Sequence, residues 1–162
     1  MALALQGGAG VIHRNLLPEA QAEQVSGVKR YLNWIIENPV TVEEDRTLKD
    51  VHAIMDRTKV SGLPVVDGEG RLVGIITARD LRFRRDDGAL VSQAMTRDLV
   101  IEDLSATPES ARAKFDEHRI EKLPVVDGKG RLAGLITVKD MEKHERFPNA
   151  ATDKAGRLVV GA

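Results

Sequence analysis

Residues 63–81 read LPVVDGEGRLVGIITARDL, and residues 123–141 read LPVVDGKGRLAGLITVKDM. At an offset of 60 residues the two stretches agree at 13 of 19 positions. Shared strand propensity does not reproduce identity at that density. The chain therefore holds two copies of one supersecondary unit, and this period decides the fold before any local assignment is made.

Outward from the repeat, each copy carries the same punctuation. Thr47 and Thr107 stand at matching places as helix N-caps, with Pro108 at the first helical position of the second copy. Leu48, Val51 and Met55 fall on one helical face, and Ala111, Phe115 and His118 repeat that stripe. An apolar strand follows, Leu63 to Val66 or Leu123 to Val126, then an Asp-Gly-x-Gly turn, then a second strand from Arg71 to Thr77 or Arg131 to Thr137. These pairs read as β-hairpins. Beyond Asp80 and Asp140, the mixtures LRFRRDD and MEKHERF suit a short second helix. Val40-Thr41-Val42 and Leu99-Val100-Ile101 predict a short strand ahead of each first helix. The unit is β-α-β-β-α, and the fold class is α+β. A unit of about 60 residues is at the lower edge of independent stability, so the two copies are expected to pack through their sheets about a pseudo-twofold axis. A cleft between them is the natural ligand site.

The 162 residues carry a net charge of −1, with 42% hydrophobic and 30% charged side chains. That balance favours neither disorder nor bulk nucleic-acid binding. There is no cysteine, which excludes disulfides, thiolate nucleophiles and cysteine zinc sites. MALALQGGAG lacks the basic and long apolar regions of a secretory signal, and no stretch approaches the roughly 20 apolar residues of a membrane span, so a cytoplasmic protein is expected. Aromatic residues make up 3%, so a bound nucleobase would lie between aliphatic side chains. His13, His52, His118 and His144 show no ligand spacing, and the Asp-Gly-x-Gly turns have too few oxygens for a cation loop; no metal site and no catalytic residue is expected. Gly7-Gly8-Ala9-Gly10 lacks phosphate-loop spacing.

The repeat resembles the CBS domain family, whose tandem pairs are called Bateman modules, over about residues 38–147. The family's signature Gly-x-x-Thr/Ser-x-x-Asp occurs twice, as Gly74, Thr77 and Asp80 and as Gly134, Thr137 and Asp140. The resemblance implies nucleotide binding by these residues. A threonine hydroxyl at a strand end can meet a phosphate, and a carboxylate three residues later, at the helix cap, can accept both hydrogen bonds of a ribose diol. By the same resemblance, backbone groups of Val40, Thr41, Val100 and Ile101 read the base edge, and Arg79 and Lys139 face the phosphates. Arg82, Arg119 and Lys122 are further cationic candidates.

The stretches KVSGLPVVD, GIITARDLRF, HRIEKLPVVD and GLITVKDMEK are similar to the CBS insert of inosine-monophosphate dehydrogenases. GGAGVIHRNLLPEAQAEQVSGVKRY and FPNAATDKAGRLVVGA are similar to that enzyme's barrel segments flanking the insert. This divides the chain into a barrel remnant with helical linker at 1–37, CBS repeats at 38–97 and 98–147, and a second barrel remnant at 148–162. Residues 18–36 are expected to be helical, and 2–12 to leave strand edges unpaired, mobile or paired with another chain. Having no cysteine and too little chain for a (β/α)₈ barrel, the segment is expected to regulate rather than catalyse. The expected ligands are ATP, ADP, AMP, GTP or GDP, with Mg²⁺ accompanying the phosphates and no intrinsic cofactor. A homodimer or higher homo-oligomer is expected, without membrane partners. Two other readings stand beside this one: a catalytically incompetent piece of the dehydrogenase or of a guanosine-monophosphate reductase, and a pure dimerisation module with vestigial clefts.

Overall fold

The computed structural model describes residues 2–31, 33–82, 84, 88–153 and 157–162, with the side chain of Arg30 excepted. In chain order the elements are α1 (Ala2–Leu5), β1 (Gly10–Val11), α2 (Pro18–Arg30), β2 (Ile35–Glu37), β3 (Val42–Glu43), α3 (Leu48–Thr58), β4 (Gly62–Val66), β5 (Leu72–Thr77) and α4 (Ala78–Leu81). A 3₁₀ turn at Val91–Gln93 precedes α5 (Pro108–His118), β6 (Lys122–Val126), β7 (Leu132–Thr137), α6 (Val138–Glu145) and β8 (Val160–Gly161). The class is α+β, with two repeated units. By internal contacts the chain forms two compact units, residues 37–136 and residues 1–36 with 137–162.

Within residues 37–136 the first repeat is a three-stranded sheet under a helix. β3 runs parallel to β4, and β4 antiparallel to β5, with a register irregularity at Val65/Val66. α3 starts at a capping box in which the Thr47 hydroxyl accepts the Asp50 N–H and the Asp50 carboxylate accepts the Thr47 N–H. Its apolar stripe of Leu48, Val51 and Met55 is buried against Leu63, Val65 and Ile76 of the sheet. Each large aliphatic side chain so buried contributes about 1.5–3 kcal/mol relative to exposure.

The second repeat copies this locally. Thr107 and Ser110 form the capping box of α5, and Ala111 and Phe115 are buried, whereas His118 sits in the exposed last turn rather than on the stripe. The helix period carries position 118 past the buried arc. Both first helices end on a left-handed residue that is not glycine, Lys59 at φ 56° and Arg119 at φ 52°. The two hairpins meet reciprocally: Leu72 N–H donates to Gly130 O at 3.0 Å and Leu132 N–H to Gly70 O at 3.1 Å. Exchanging the copies maps one bond onto the other, which is the local signature of a pseudo-twofold.

Several local expectations need correction. The strand of the first copy is Val42–Glu43, with Val40 and Thr41 ahead of it, because the parallel pairing to β4 begins at Val42↔Val65. In the second copy none of the expected strand Leu99–Ile101 pairs, and a single parallel bridge, Glu102↔Val125, forms one residue beyond it. Helix α4 spans only four residues; its expected continuation through Phe83 and residues 85–87 lies outside the described residues. Thr77 and Thr137 are the N-caps of α4 and α6, and Asp80 and Asp140 are third-position partners rather than caps.

In the other unit, α2 stops at Arg30 and the expected helical run to residue 36 gives way to β2. The N-terminal stretch is not an unpaired edge: Ala2–Leu5 is helical, and β1 pairs in parallel with β8, Gly10↔Val160 and Val11↔Gly161. Ala4 and Leu158 are buried there beneath Leu5, Val28, Tyr31, Phe147 and Ala150. Lys29 pairs with Asp153 at 3.1 Å, and the Lys143 ammonium lies 3.7 Å from the Tyr31 ring centroid. Among the described residues no helix is long and apolar enough to cross a membrane.

Candidate functional site

Residues 37–136 enclose a cavity of about 330 Å³ where the two repeats converge. Ser61, Ile75, Thr77, Arg79, Asp80 and Arg82 line it from the first repeat, and Leu99, Val100, Arg119, Glu121, Lys122 and Pro124 from the second. Its volume is in the range of small-molecule sites.

The chemistry of the walls is divided. Ile75, Leu99, Val100, Ile120 and Pro124 supply an aliphatic slot, the surface against which a flat heterocycle can lie. Asp80 Oδ2 accepts from both the backbone N–H and the hydroxyl of Thr77, each at 2.7 Å. One carboxylate oxygen is thereby fixed by the strand end, which aims the group and leaves Oδ1 to accept from a ligand. Four cations, Arg79, Arg82, Arg119 and Lys122, stand around it. Arg79 reaches Glu121 across the rim at 3.8 Å, an exposed pair of small worth that an anionic ligand can displace. The Lys122 ammonium donates to Ser61 Oγ at 3.1 Å. Its stem crosses Gly62 so closely that a Cβ built there would lie 2.8 Å from Lys122 Cε.

The residues singled out from sequence divide as follows. Thr77, Arg79, Asp80 and Val100 line this one cavity. Gly74 is buried in β5, and a Cβ on it would meet Met95 Sδ at 2.5 Å and Thr96 O at 3.1 Å. Ile101 is 42% exposed and Val40 40% exposed, and neither belongs to the lining. Thr41 borders a separate cavity of about 600 Å³ with Val42, Glu43, Arg46, Asp50 and Ile54. Gly134 is buried in β7. Thr137, Lys139 and Asp140 belong to the other unit, where the Thr137 hydroxyl donates to Asp140 Oδ2 and accepts the Asp140 N–H.

Ser61, Asp98 and Glu121 line the cavity without having been anticipated. They lie outside the repeated 19-residue stretch, and no spacing links them to Thr77. Arg119 carried one signal: it follows the second helix as Lys59 follows the first, so both are helix ends.

Comparison with known proteins bears on this geometry. Residues 28–86 and 91–145 each match the CBS domain. Over its whole length the chain is 47% identical to an inosine-5'-monophosphate dehydrogenase of Halalkalibacterium halodurans, of which it covers 34%. A GMP reductase from Trypanosoma brucei, solved in complex with guanosine 5'-triphosphate, superposes on 99% of this chain with TM-score 0.82 and 30% identity, the match taking in 40% of that protein. A third structure, CBSX2 in complex with AMP, matches 72% of this chain and 95% of its own, with TM-score 0.64 and 25% identity. The chain spans about a third of the length of the curated relatives it matches. Two matched domains take in most of its length and coincide with the internal repeat, so the chain belongs to the CBS domain family as a tandem pair.

Proposed function

We propose that this chain is the regulatory, purine-nucleotide-binding module of an inosine-monophosphate-dehydrogenase-like protein. In this reading residues 38–97 and 98–147 are the CBS repeats, and 1–37 and 148–162 are parts of a flanking catalytic barrel. The observation that carries it is the cavity that joins Thr77, Asp80 and Val100 to four cations. An aliphatic slot, an aimed carboxylate and a cationic rim match, in order, the base, the ribose diol and the phosphates of a nucleotide. In the assignment, the Asp80 carboxylate accepts from the ribose, Leu99 and Val100 flank the base, and Arg79, Arg82, Arg119 and Lys122 hold the phosphates, with Mg²⁺ accompanying a polyphosphate. The AMP and guanosine 5'-triphosphate bound by the two relatives support the ligand class. Thr137, Lys139 and Asp140 are assigned the same roles by repetition of the motif. Occupancy is read out through the parent protein's activity or through self-association of the module in the cytoplasm.

Calorimetric titration of the 162-residue chain with AMP, ADP, ATP, GDP and GTP tests the reading. Binding of at least one is expected, with thermal stabilisation that grows as RT ln(1 + [L]/Kd). Absence of binding by all five at millimolar concentration overturns it and leaves a dimerisation module, which light scattering then identifies.

A further inference from the structure

Among the described residues Glu102 is the one charged side chain that is buried, at 8% exposed. Its Oε1 accepts from the Ser110 hydroxyl at 2.8 Å, and its Oε2 lies 3.3 Å from the Lys114 ammonium. The same ammonium donates to the Ile101 carbonyl at 2.6 Å. One side chain of α5 thus grips two consecutive residues of the segment that enters the cavity at Leu99 and Val100.

The first repeat makes the same place differently. At an offset of 60, Thr41, Val42, Asp50 and Ile54 replace Ile101, Glu102, Ser110 and Lys114, so no ion pair forms. There the segment is held by two consecutive strand pairs, Val42↔Val65 and Glu43↔Val66, and the space beside it is the open cavity of about 600 Å³. In the second repeat the strand is reduced to the single bridge Glu102↔Val125, made by Glu102 N–H to Pro124 O at 2.9 Å and Val126 N–H to Glu102 O at 2.8 Å. The ion pair stands at the one strand pair the second repeat keeps, and the counterpart of Glu43↔Val66, at Asp103, is not formed. Glu102 is buried but the Lys114 side chain is 34% exposed, so water screens the pair and it contributes little to stability alone; the first repeat has the apolar Val42 and Ile54 at these two positions.

We infer that Glu102 and Lys114 are positioning residues: a side-chain clamp that holds Leu99 and Val100 at the wall of the cavity and so sets its affinity for a nucleoside phosphate. The inference rests on the ligand reading above. Neither residue lines the cavity.

The double substitution Glu102→Val with Lys114→Ile gives the second repeat the pair that the first already carries. Hydrogen exchange of the ligand-free 162-residue chain reads the clamp directly. The Glu102 amide, which donates to Pro124 O, is expected to exchange at least about ten-fold faster, as loss of a charge-assisted bond implies, with α5 and β6 protected as before. Titration with GTP and ATP is expected to show affinity about ten-fold weaker, and Lys114→Arg, which can still donate to both oxygens, is expected to retain both properties. If α5 itself loses protection in the double variant, Glu102→Gln keeps the shape and the Ser110 bond and carries the same comparison. Unchanged exchange at position 102 overturns the clamp, as does faster exchange with unaltered affinity. If the wild-type chain binds none of AMP, ADP, ATP, GDP and GTP, the ligand reading fails on its own and the exchange rates alone decide whether the clamp exists.

Discussion

The Thr77 hydroxyl and backbone N–H converge on one oxygen of Asp80, each at 2.7 Å, so the carboxylate is aimed by the strand end that precedes it. Asparagine at position 80 can keep an oxygen toward Thr77 but then turns an NH₂ toward the cavity, where it cannot accept from a diol. Asp80→Asn is therefore expected to lower nucleotide affinity about ten- to hundredfold, from a lost charge-assisted bond of about 1.5–3 kcal/mol. Thermal stability should hardly change. Asp56→Asn, on the exposed face of α3, is the matched control. Equal calorimetric affinity in the two variants would remove Asp80 from the site.

Gly74 has a packing role that the motif does not reveal. A Cβ on it would sit 2.5 Å from Met95 Sδ and 3.1 Å from the Thr96 carbonyl, and Thr96 is bonded to Ile75 by two backbone hydrogen bonds of 2.9 Å. The methionine can shift and the bonded carbonyl cannot. Gly74→Ala should destabilise the fold by about 1–3 kcal/mol, as overpacking typically does. Denaturant unfolding gives the value, and a variant as stable as wild type would contradict the close approach.

The repeat was legible because thirteen identities in 19 positions reflect one backbone used twice, and the hairpins, helix caps and buried stripes recur with it. The recurrence of Thr77 and Asp80 as Thr137 and Asp140 was legible for the same reason, but not that the threonine is the cap and the aspartate its third-position partner. The shortening of the second copy's first strand was not, because Leu99-Val100-Ile101 has strand composition and only tertiary pairing with β6 limits it to a bridge at Glu102. The pairing of β1 with β8 was also hidden: two-residue strands about 150 residues apart leave no local periodicity to read. Lys122 and Arg119 come to the cavity through a helix end and a strand start, where spacing from the motif carries no information.

The hairpin turns make stability depend on acid. Asp67 is held below the ordinary aspartate range chiefly by the Arg71 backbone N–H, with that of Glu69 also contributing, and Asp127 by those of Arg131 and Lys129. A carboxyl depressed in the folded state contributes stability that is fully present above its unfolded value and is lost as pH falls through the folded one. Stability should therefore decline as pH drops below about 4, with the Leu72–Gly130 and Leu132–Gly70 bonds beside these turns weakening together. Asp67→Asn/Asp127→Asn should flatten that part of the curve in thermal melts taken from pH 6 to 2.5; a curve of unchanged slope would show that other carboxylates govern it.

Arg119 is held at φ 52° as the C-cap of α5, a conformation glycine adopts freely, and it lines the cavity. Left-handed backbone costs a side-chain-bearing residue about 1–2 kcal/mol, and glycine returns about 0.5–1 of that as chain entropy in the unfolded state. Arg119→Gly should leave the fold as stable or more stable by up to about 1 kcal/mol while weakening nucleotide binding. Lys59→Gly makes the same backbone exchange at φ 56° in the first repeat, outside the cavity lining, and should stabilise without loss of affinity there.

The passage of Lys122 over Gly62 gives the most discriminating test of the cationic rim. A methyl at position 62 would meet Lys122 Cε at 2.8 Å, Cδ at 3.0 Å and Thr77 Cγ2 at 3.1 Å, and the flexible lysine stem is what can yield. Gly62→Ala should thus act through Lys122, moving its ammonium away from Ser61 and the cavity. Lys122→Met should weaken ATP and GTP more than AMP, because removing one of several cations costs most where the ligand charge is greatest, and the difference should shrink at high salt. If both changes remove the same contact, the double variant should be no weaker than Lys122→Met alone, a coupling that a double-mutant cycle measures directly. Additive losses would show that Gly62 and Lys122 act on the ligand separately, and equal losses for AMP and ATP would place Lys122 away from the phosphates.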